Sequence, residues 1–239
     1  MSIWSEPVQT YFSAREDTVP QALLFDLDGT LIDSVPDLAA AIDQMLVQLG
    51  RPVAGQPLVA EWVGNGADML VRRALCYGND MQAQALDAAE VAAARALFDP
   101  FYLEHLNDAT GVYPGVEKTL TILAVLGIRM ALVTNKPRVF TDVLLDALGW
   151  RPYFDAVVCG DDLPQRKPDP AQILHACELM AVEPQQAIMV GDSRNDMYAG
   201  KAAGCMTVAV PYGYNHGENI ATCQPNLIIH SLVDLIRHV

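Results

Sequence analysis

Apolar positions in this chain follow two rhythms, and the change from one to the other divides it. Ala22-Leu23-Leu24-Phe25 is a short unbroken apolar run, the signature of a strand buried on both faces of a parallel sheet. After it the strand-like pattern stops. Ser34-Val35-Pro36-Asp37 reads as a helix start, with Ser34 as N-cap and an acid three residues on. Leu38, Ile42, Met45, Leu46 and Leu49 then mark one face at helical spacing, and Gly50 is a natural stop. Helical spacing returns at 67–75 and 83–105, and nothing from 34 to 111 reads as a strand.

From Tyr113-Pro114-Gly115 onward, helices and strands alternate. Strands are expected at 129–133, 156–159, 187–190 and 206–210. The helices between them end near Gly127, Gly149 and Gly204, and one starts at Asp169-Pro170 with Asp169 as N-cap. Repeated βα units imply a parallel sheet with helices on both faces. The pattern therefore predicts an α/β core formed by residues 20–33 and 112–239, a helical cap inserted at 34–111, and an N-terminal extension at 1–19 without periodicity.

Polar groups collect where the expected strands end, the edge at which open α/β sheets bind ligands. The first strand runs into Asp26-Leu27-Asp28-Gly29-Thr30, and the i, i+2 spacing predicts that Asp26 and Asp28 point together. Two such carboxylates need a cation or a shared proton. Thr134-Asn135 follows the second strand, ahead of a helix whose N-terminal amides favour an anion. Lys167 precedes Pro168-Asp169-Pro170, and Gly191-Asp192-Ser193-Arg194-Asn195-Asp196 closes the fourth strand. Singly, each has a plainer reading: a D-G turn, a threonine N-cap, a solvated lysine, carboxylates at a helix start. Jointly, three carboxylates, a hydroxyl and a lysine suit Mg²⁺-assisted phosphoryl transfer, since Mg²⁺ prefers oxygen ligands and the cations spread the charge of the moving group.

Composition narrows the partners. Charged residues are only 18% of the chain while hydrophobic ones are 51%, which fits a packed core rather than disorder. A net charge of −14 argues against nucleic acid or an anionic membrane, though not against a small anionic substrate with local positive charge. The run 120–133 is too short to span a bilayer and is broken by Gly127 and Arg129. Met1 to Pro20 lacks a basic stretch followed by an apolar one, and Cys76, Cys159, Cys177, Cys205 and Cys223 form no C-x-x-C pair. Both point to a cytoplasmic protein with reduced thiols. His105, His175, His216, His230 and His238 stand alone and read as structural, His216 least clearly because it lies in a glycine-rich loop.

The four motifs DLDGT (26–30), TN (134–135), KPDP (167–170) and GDSRND (191–196) together resemble the haloacid dehalogenase superfamily, over roughly residues 21–236. The resemblance implies a Rossmann-like parallel-sheet core with an all-α cap. It implies Asp26 as nucleophile and Asp28 as general acid, then base. Thr134, Asn135 and Lys167 would bind the substrate, whereas Mg²⁺ would be held by Asp26, the Asp28 backbone carbonyl and Asp192. Asp196 would position Lys167. Within the superfamily, DSVPDLAAA (33–41), WVGNGA (62–67), LVTNKP (132–137) and YGYNHGE (212–218) resemble bacterial phosphatases acting on 2-phosphoglycolate. N-acetylmuramic acid 6-phosphate and other sugar phosphates are alternative substrates. A phosphomutase is disfavoured because His105 is the only basic acid/base candidate noted in the cap, and a phospho-accepting regulatory domain would lack the cap. Of the cap cations Arg51, Arg72, Arg73 and Arg95, the pair Arg72/Arg73 is either a clamp for a substrate carboxylate or a solvated surface pair.

Overall fold

Every strand of the main sheet runs parallel, with the first strand at its middle. The computed structural model describes residues 3–15 and 19–237. Strand β1 (Ala22–Phe25) is flanked by β4 (Arg129–Val133) and β6 (Ala187–Gly191). Beyond β4 lies β5 (Ala156–Val158), and beyond β6 lie β7 (Met206–Ala209) and the short β8 (Leu227–Ile228), giving the order β5-β4-β1-β6-β7-β8. The chain thus builds outward on one side of β1 and then returns to build outward on the other. That reversal opens a crevice at the carboxyl ends of β1, β4 and β6.

Alternation along the strands sorts the core into two layers. Leu23 and Phe25 pack with Leu132, Val190 and Val208 on one face, and Leu24 packs with Ala131, Val133 and Met189 on the other. The first face is covered by α7 (Val116–Val125) and α8 (Arg138–Leu148), the second by α9 (Ala171–Leu179) and α10 (Arg194–Ala203). The α/β parallel sheet expected from the pattern is the observed one.

Helices α2 (Val35–Gln48), α3 (Gly55–Trp62), α4 (Ala67–Leu75), α5 (Asp80–Ala85) and α6 (Ala88–His105) form a separate block. Val91, Ala94, Phe98 and Tyr102 form the buried stripe of α6 at helical spacing. The block leaves and re-enters the core across a two-stranded antiparallel pair, β2 (Ile32–Asp33) with β3 (Gly111–Val112). Asp37 staples the same crossing: its carboxylate accepts from the backbone N–H of Asn107, Ala109 and Thr110 at 2.8–3.1 Å.

Several local expectations are revised. Ser34 precedes α2 but does not cap it; its hydroxyl donates to Asp28 Oδ1 at 2.6 Å, and Asp37 serves the crossing instead of a capping box. Helix α9 starts one turn position later than expected, with Pro170 at its N-cap and the Asp169 carboxylate accepting from Ala171 N–H at 2.9 Å. The N-terminal stretch contains helix α1 (Glu6–Ser13), whose Val8 and Phe12 are buried in the core. Trp4 bridges to Ile236, tying that stretch to the other end of the chain. His238 lies outside the described residues. Among the described residues, no helix is long and apolar enough to cross a membrane.

Candidate active site

Register places the polar residues side by side. Strands β1, β4 and β6 end at Phe25, Val133 and Gly191, so the first residues beyond three adjacent strands, Asp26, Thr134 and Asp192, leave the sheet at one edge. The backbone stays tied there: Asp26 N–H donates to Val190 O and Thr134 N–H to Val158 O, each at 3.0 Å. Side-chain atoms of Asp26, Asp192 and Asp196 lie within 4.8 Å of one another, a spacing that could hold a metal ion.

Lys167 sits at the centre of this group. Its Nζ is 2.9 Å from Asp26 Oδ1 and 2.6 Å from Asp196 Oδ1, and it donates to Val133 O at 2.6 Å. Asp196 uses its other oxygen to accept from the Ser193 N–H at 3.0 Å and from the Ser193 hydroxyl at 2.7 Å. Asp192 accepts from the Thr30 hydroxyl at 2.9 Å and from the Tyr214 N–H at 2.7 Å. Gly29, at φ +88°, turns the chain so closely beneath that carboxylate that a Cβ would stand 2.3 Å from Asp192 Oδ2.

The charges of these groups are shaped by burial. Burial pushes the Asp26 carboxyl up to about 7, with Lys167 pulling it down and Asp196 raising it further. Asp192 is pushed well above the usual carboxylate range, by burial first and then by Asp196 and Asp26. Burial works against the Lys167 ammonium, yet Asp196 and Asp26 hold it at about 12. Three carboxylates facing one ammonium leave negative charge uncompensated, which is the condition under which a cation is taken up.

Asp28 does not share this cluster. Asp26 and Asp28 line the same cleft, but Asp28 is not among the three carboxylates that lie within 4.8 Å of one another. Asp28 instead meets Lys136, whose Nζ is 3.1 Å from both of its oxygens. Lys136 also donates to the Tyr102 hydroxyl at 2.7 Å. Tyr102 is held in α6 between Phe98 and Phe140, with ring centroids at 5.4 and 4.9 Å. The lysine is buried; burial opposes its charge, but Asp28 and Tyr102 keep its pKa above the usual lysine value. Lys136 and Tyr102 had not been singled out from the sequence. The available signals were a lysine directly after a strand end and a tyrosine on the buried stripe of an amphipathic helix, where the hydroxyl needs a partner.

One turn of the helical block is held by core asparagines through its main chain. The Gly64 carbonyl accepts from Asn135 Nδ2 at 3.0 Å and from Asn195 Nδ2 at 3.1 Å, while Asn135 Nδ2 also reaches Lys167 O at 2.9 Å. His216 Nδ1 is 2.9 Å from Glu61 O, in the last turn of α3. Between block and core lies a cleft lined by Asp26, Asp28, Thr134, Asn135 and Lys136 on one side and by Leu38, Val63, Leu70, Phe98 and Tyr102 on the other.

Arg72 and Arg73 fit neither expectation. Arg73 is buried, with Nε 2.8 Å from Asp80 Oδ1 and Nη1 donating to Trp62 O at 2.8 Å and Asn65 Oδ1 at 2.9 Å. Arg72 Nη1 donates to Ala83 O at 3.1 Å and Leu86 O at 2.9 Å. Both are struts within the helical block: the segment 79–86 folds back over α4 and supplies Asp80 to Arg73 and both acceptors of Arg72, and the 62–65 turn supplies the rest.

Comparison with known proteins agrees with this architecture. A family model described as haloacid dehalogenase-like hydrolase matches residues 20–204. A phosphoglycolate phosphatase of Pseudomonas fluorescens is 51% identical over 218 residues, covering 91% of this chain and 79% of that protein. Phosphoglycolate phosphatase 1 of Pseudomonas aeruginosa is 48% identical over 228 residues, covering 95% of this chain and 82% of that protein. The crystal structure of a predicted phosphoglycolate phosphatase from Haemophilus somnus superposes with a TM-score of 0.83 at 37% identity, covering 90% of this chain and 96% of that one.

Proposed function

The chain belongs to the haloacid dehalogenase-like hydrolases, and from that membership we propose that it is a Mg²⁺-dependent phosphatase converting 2-phosphoglycolate to glycolate and phosphate through an aspartyl-phosphate. The observation that carries the reading is the convergence of Asp26, Asp192 and Asp196 on Lys167 at the edge of three adjacent strands. The helical block at 34–111 serves as the cap over this edge, and residues 20–33 with 112–239 form the core. The phosphatases named above, about half identical to this chain, support the choice of substrate.

The donor set fits a hard divalent ion: buried carboxylate oxygens with uncompensated charge, in a nook that Gly29 leaves open. Asp26, Asp192 and the Asp28 backbone carbonyl would hold it. Such an ion would supply positive charge that keeps Asp26 ionised and offsets the charge of the phosphoryl oxygens. Asp196 Oδ1 lies 2.6 Å from Lys167 Nζ and its Oδ2 is held by Ser193, so its part is to aim the lysine.

The residues then divide the work. Lys167, the Thr134 hydroxyl and the backbone N–H of Asn135, whose side-chain donors are taken by Gly64 O and Lys167 O, bind the phosphoryl oxygens. An Asp26 oxygen attacks phosphorus as the bond to the ester oxygen breaks, and Asp28 delivers a proton to the departing alkoxide. Asp28 next takes a proton from water; that water attacks phosphorus, the Asp26–phosphorus link breaks, and inorganic phosphate leaves with Asp26 restored. Initial rates against 2-phosphoglycolate, N-acetylmuramic acid 6-phosphate and hexose phosphates test the assignment. The highest kcat/KM is expected on 2-phosphoglycolate, and a higher value on a sugar phosphate overturns it.

A further inference from the structure

We propose that Lys136 is the specificity-determining residue of the cleft, binding a second anionic group carried by the leaving portion of the substrate. The inference rests on the phosphatase reading above and concerns how the same site tells a short anionic ester from a neutral one.

Location comes first. Among the described residues lining the cleft, Lys136 is the only lysine or arginine. Lys167 is committed to Asp26, Asp196 and Val133 O on the phosphoryl side. Lys136 stands instead beside Asp28, the group assigned to protonate the leaving oxygen, so whatever is attached to that oxygen lies next to the ammonium. The equal 3.1 Å approach to both Asp28 oxygens lets one N–H serve both, and Tyr102 takes a second. An ammonium has three donors. Shared in that way, they leave the third for a ligand.

Competing cations are otherwise engaged. Arg51 bonds Leu75 O, Arg72 the carbonyls of Ala83 and Leu86, Arg73 Asp80 and the 62–65 turn, and Arg95 Asp68 and Asp99. Arg166 approaches the Gly66 turn but is bonded to Gly160 O and does not line the cleft. Leu38, Val63, Leu70, Phe98 and Phe140 form an apolar wall that offers nothing to the hydroxyls of a sugar, and Asn135 Oδ1 is a single acceptor beside it, too little for a polyhydroxy tail. A carboxylate one carbon from the ester oxygen matches one buried ammonium in an apolar wall. A long polyhydroxy tail does not.

The test compares 2-phosphoglycolate with 2-hydroxyethyl phosphate, in which the carboxylate is replaced by a neutral hydroxymethyl group. Wild-type protein, Lys136→Met, Lys136→Gln and Lys136→Arg are assayed with Mg²⁺, and folding of each is checked by circular dichroism. Removing Lys136 also strips Asp28 of its partner, so both substrates slow; the informative quantity is the ratio of their kcat/KM values. We expect the wild type to favour 2-phosphoglycolate, and the Met and Gln variants to lose about 10- to 150-fold of that ratio, the range for one hydrogen bond to a charged group. Lys136→Arg should keep part of it. An unchanged ratio in the Met and Gln variants, with the wild-type preference intact, overturns the role of Lys136 and leaves the phosphoglycolate reading standing. A wild type that prefers the neutral ester, or cleaves neither, overturns that reading and the inference with it.

Discussion

Replacing Arg73 by Met should destabilise the helical block without altering which substrate is preferred. Arg73 is 6% exposed, and methionine fills much of its stem volume while removing the guanidinium. Two of the bonds lost end on the 62–65 turn, at Trp62 O and Asn65 Oδ1, and each charged hydrogen bond contributes about 1.5–3 kcal/mol. The third partner, Asp80, is half exposed, so its ion pair adds little after solvent screening. The loss is therefore about 3–5 kcal/mol, in line with breaking a buried charged contact from one side. For a chain of this size that is a fall in Tm of roughly 10 °C. Differential scanning calorimetry measures it, and kcat/KM on 2-phosphoglycolate and 2-hydroxyethyl phosphate should fall by the same factor because Arg73 meets neither. A change in Tm under 2 °C would show that the turn does not depend on Arg73. A selective loss on the acid substrate would make it the carboxylate clamp after all.

Asp26→Asn keeps the side-chain shape but removes the attacking charge, so turnover should drop by several orders of magnitude; a variant retaining a tenth of wild-type kcat excludes Asp26 as nucleophile. Asp28→Asn should spare aryl phosphates, whose leaving groups need little protonation, far more than alkyl phosphates, and equal losses on both count against Asp28 as the acid. Excess chelator should abolish turnover and added Mg²⁺ restore it, whereas full activity in chelator contradicts the metal assignment. Burial, aided by Arg73 and Arg194, lowers the His216 pKa below its usual 6.5, so the unfolded chain binds that proton more readily. The stability tied to a neutral His216 is then present above pH 6.5 and lost as pH falls through the folded value. His216→Gln should shrink the difference in Tm between pH 7.5 and pH 5.5, and an unaltered difference refutes the linkage.

What could be read from sequence was whatever depended on local order along the chain. The ALLF run, the acid after it, the threonine after β4 and the acids after β6 were legible because strand period and strand ends are local properties. Their meeting at one edge follows from parallel topology, which the alternation of helix and strand also announces. Partners contributed from far away were not legible. Lys136 finds Asp28 across 108 residues and Tyr102 across 34, and nothing near any of the three foretells it. Ser34 looked like a cap because its neighbours are helical, yet Asp28 was the stronger claimant for its hydroxyl. Arg72 and Arg73 were ambiguous for a similar reason: a helical wheel shows which way α4 faces but not that residues 79–86 come back to receive them. Strand β8 is only two residues long and leaves too little pattern to detect.

The bond between the two asparagines and Gly64 carries one more implication. Asn135 and Asn195 grip the main chain, so at this point the helical block is held by its path and not by a side chain it presents. A main-chain oxygen survives every substitution that keeps the turn, and at φ +115° that turn asks chiefly for glycine. Apart from Phe98 and Tyr102, which meet Phe140 and Lys136 of the core, the helices above it are freer to exchange side chains, and with them the shape of the compartment they enclose. Grafting a foreign helical block onto this core should require that it deliver one carbonyl to that spot.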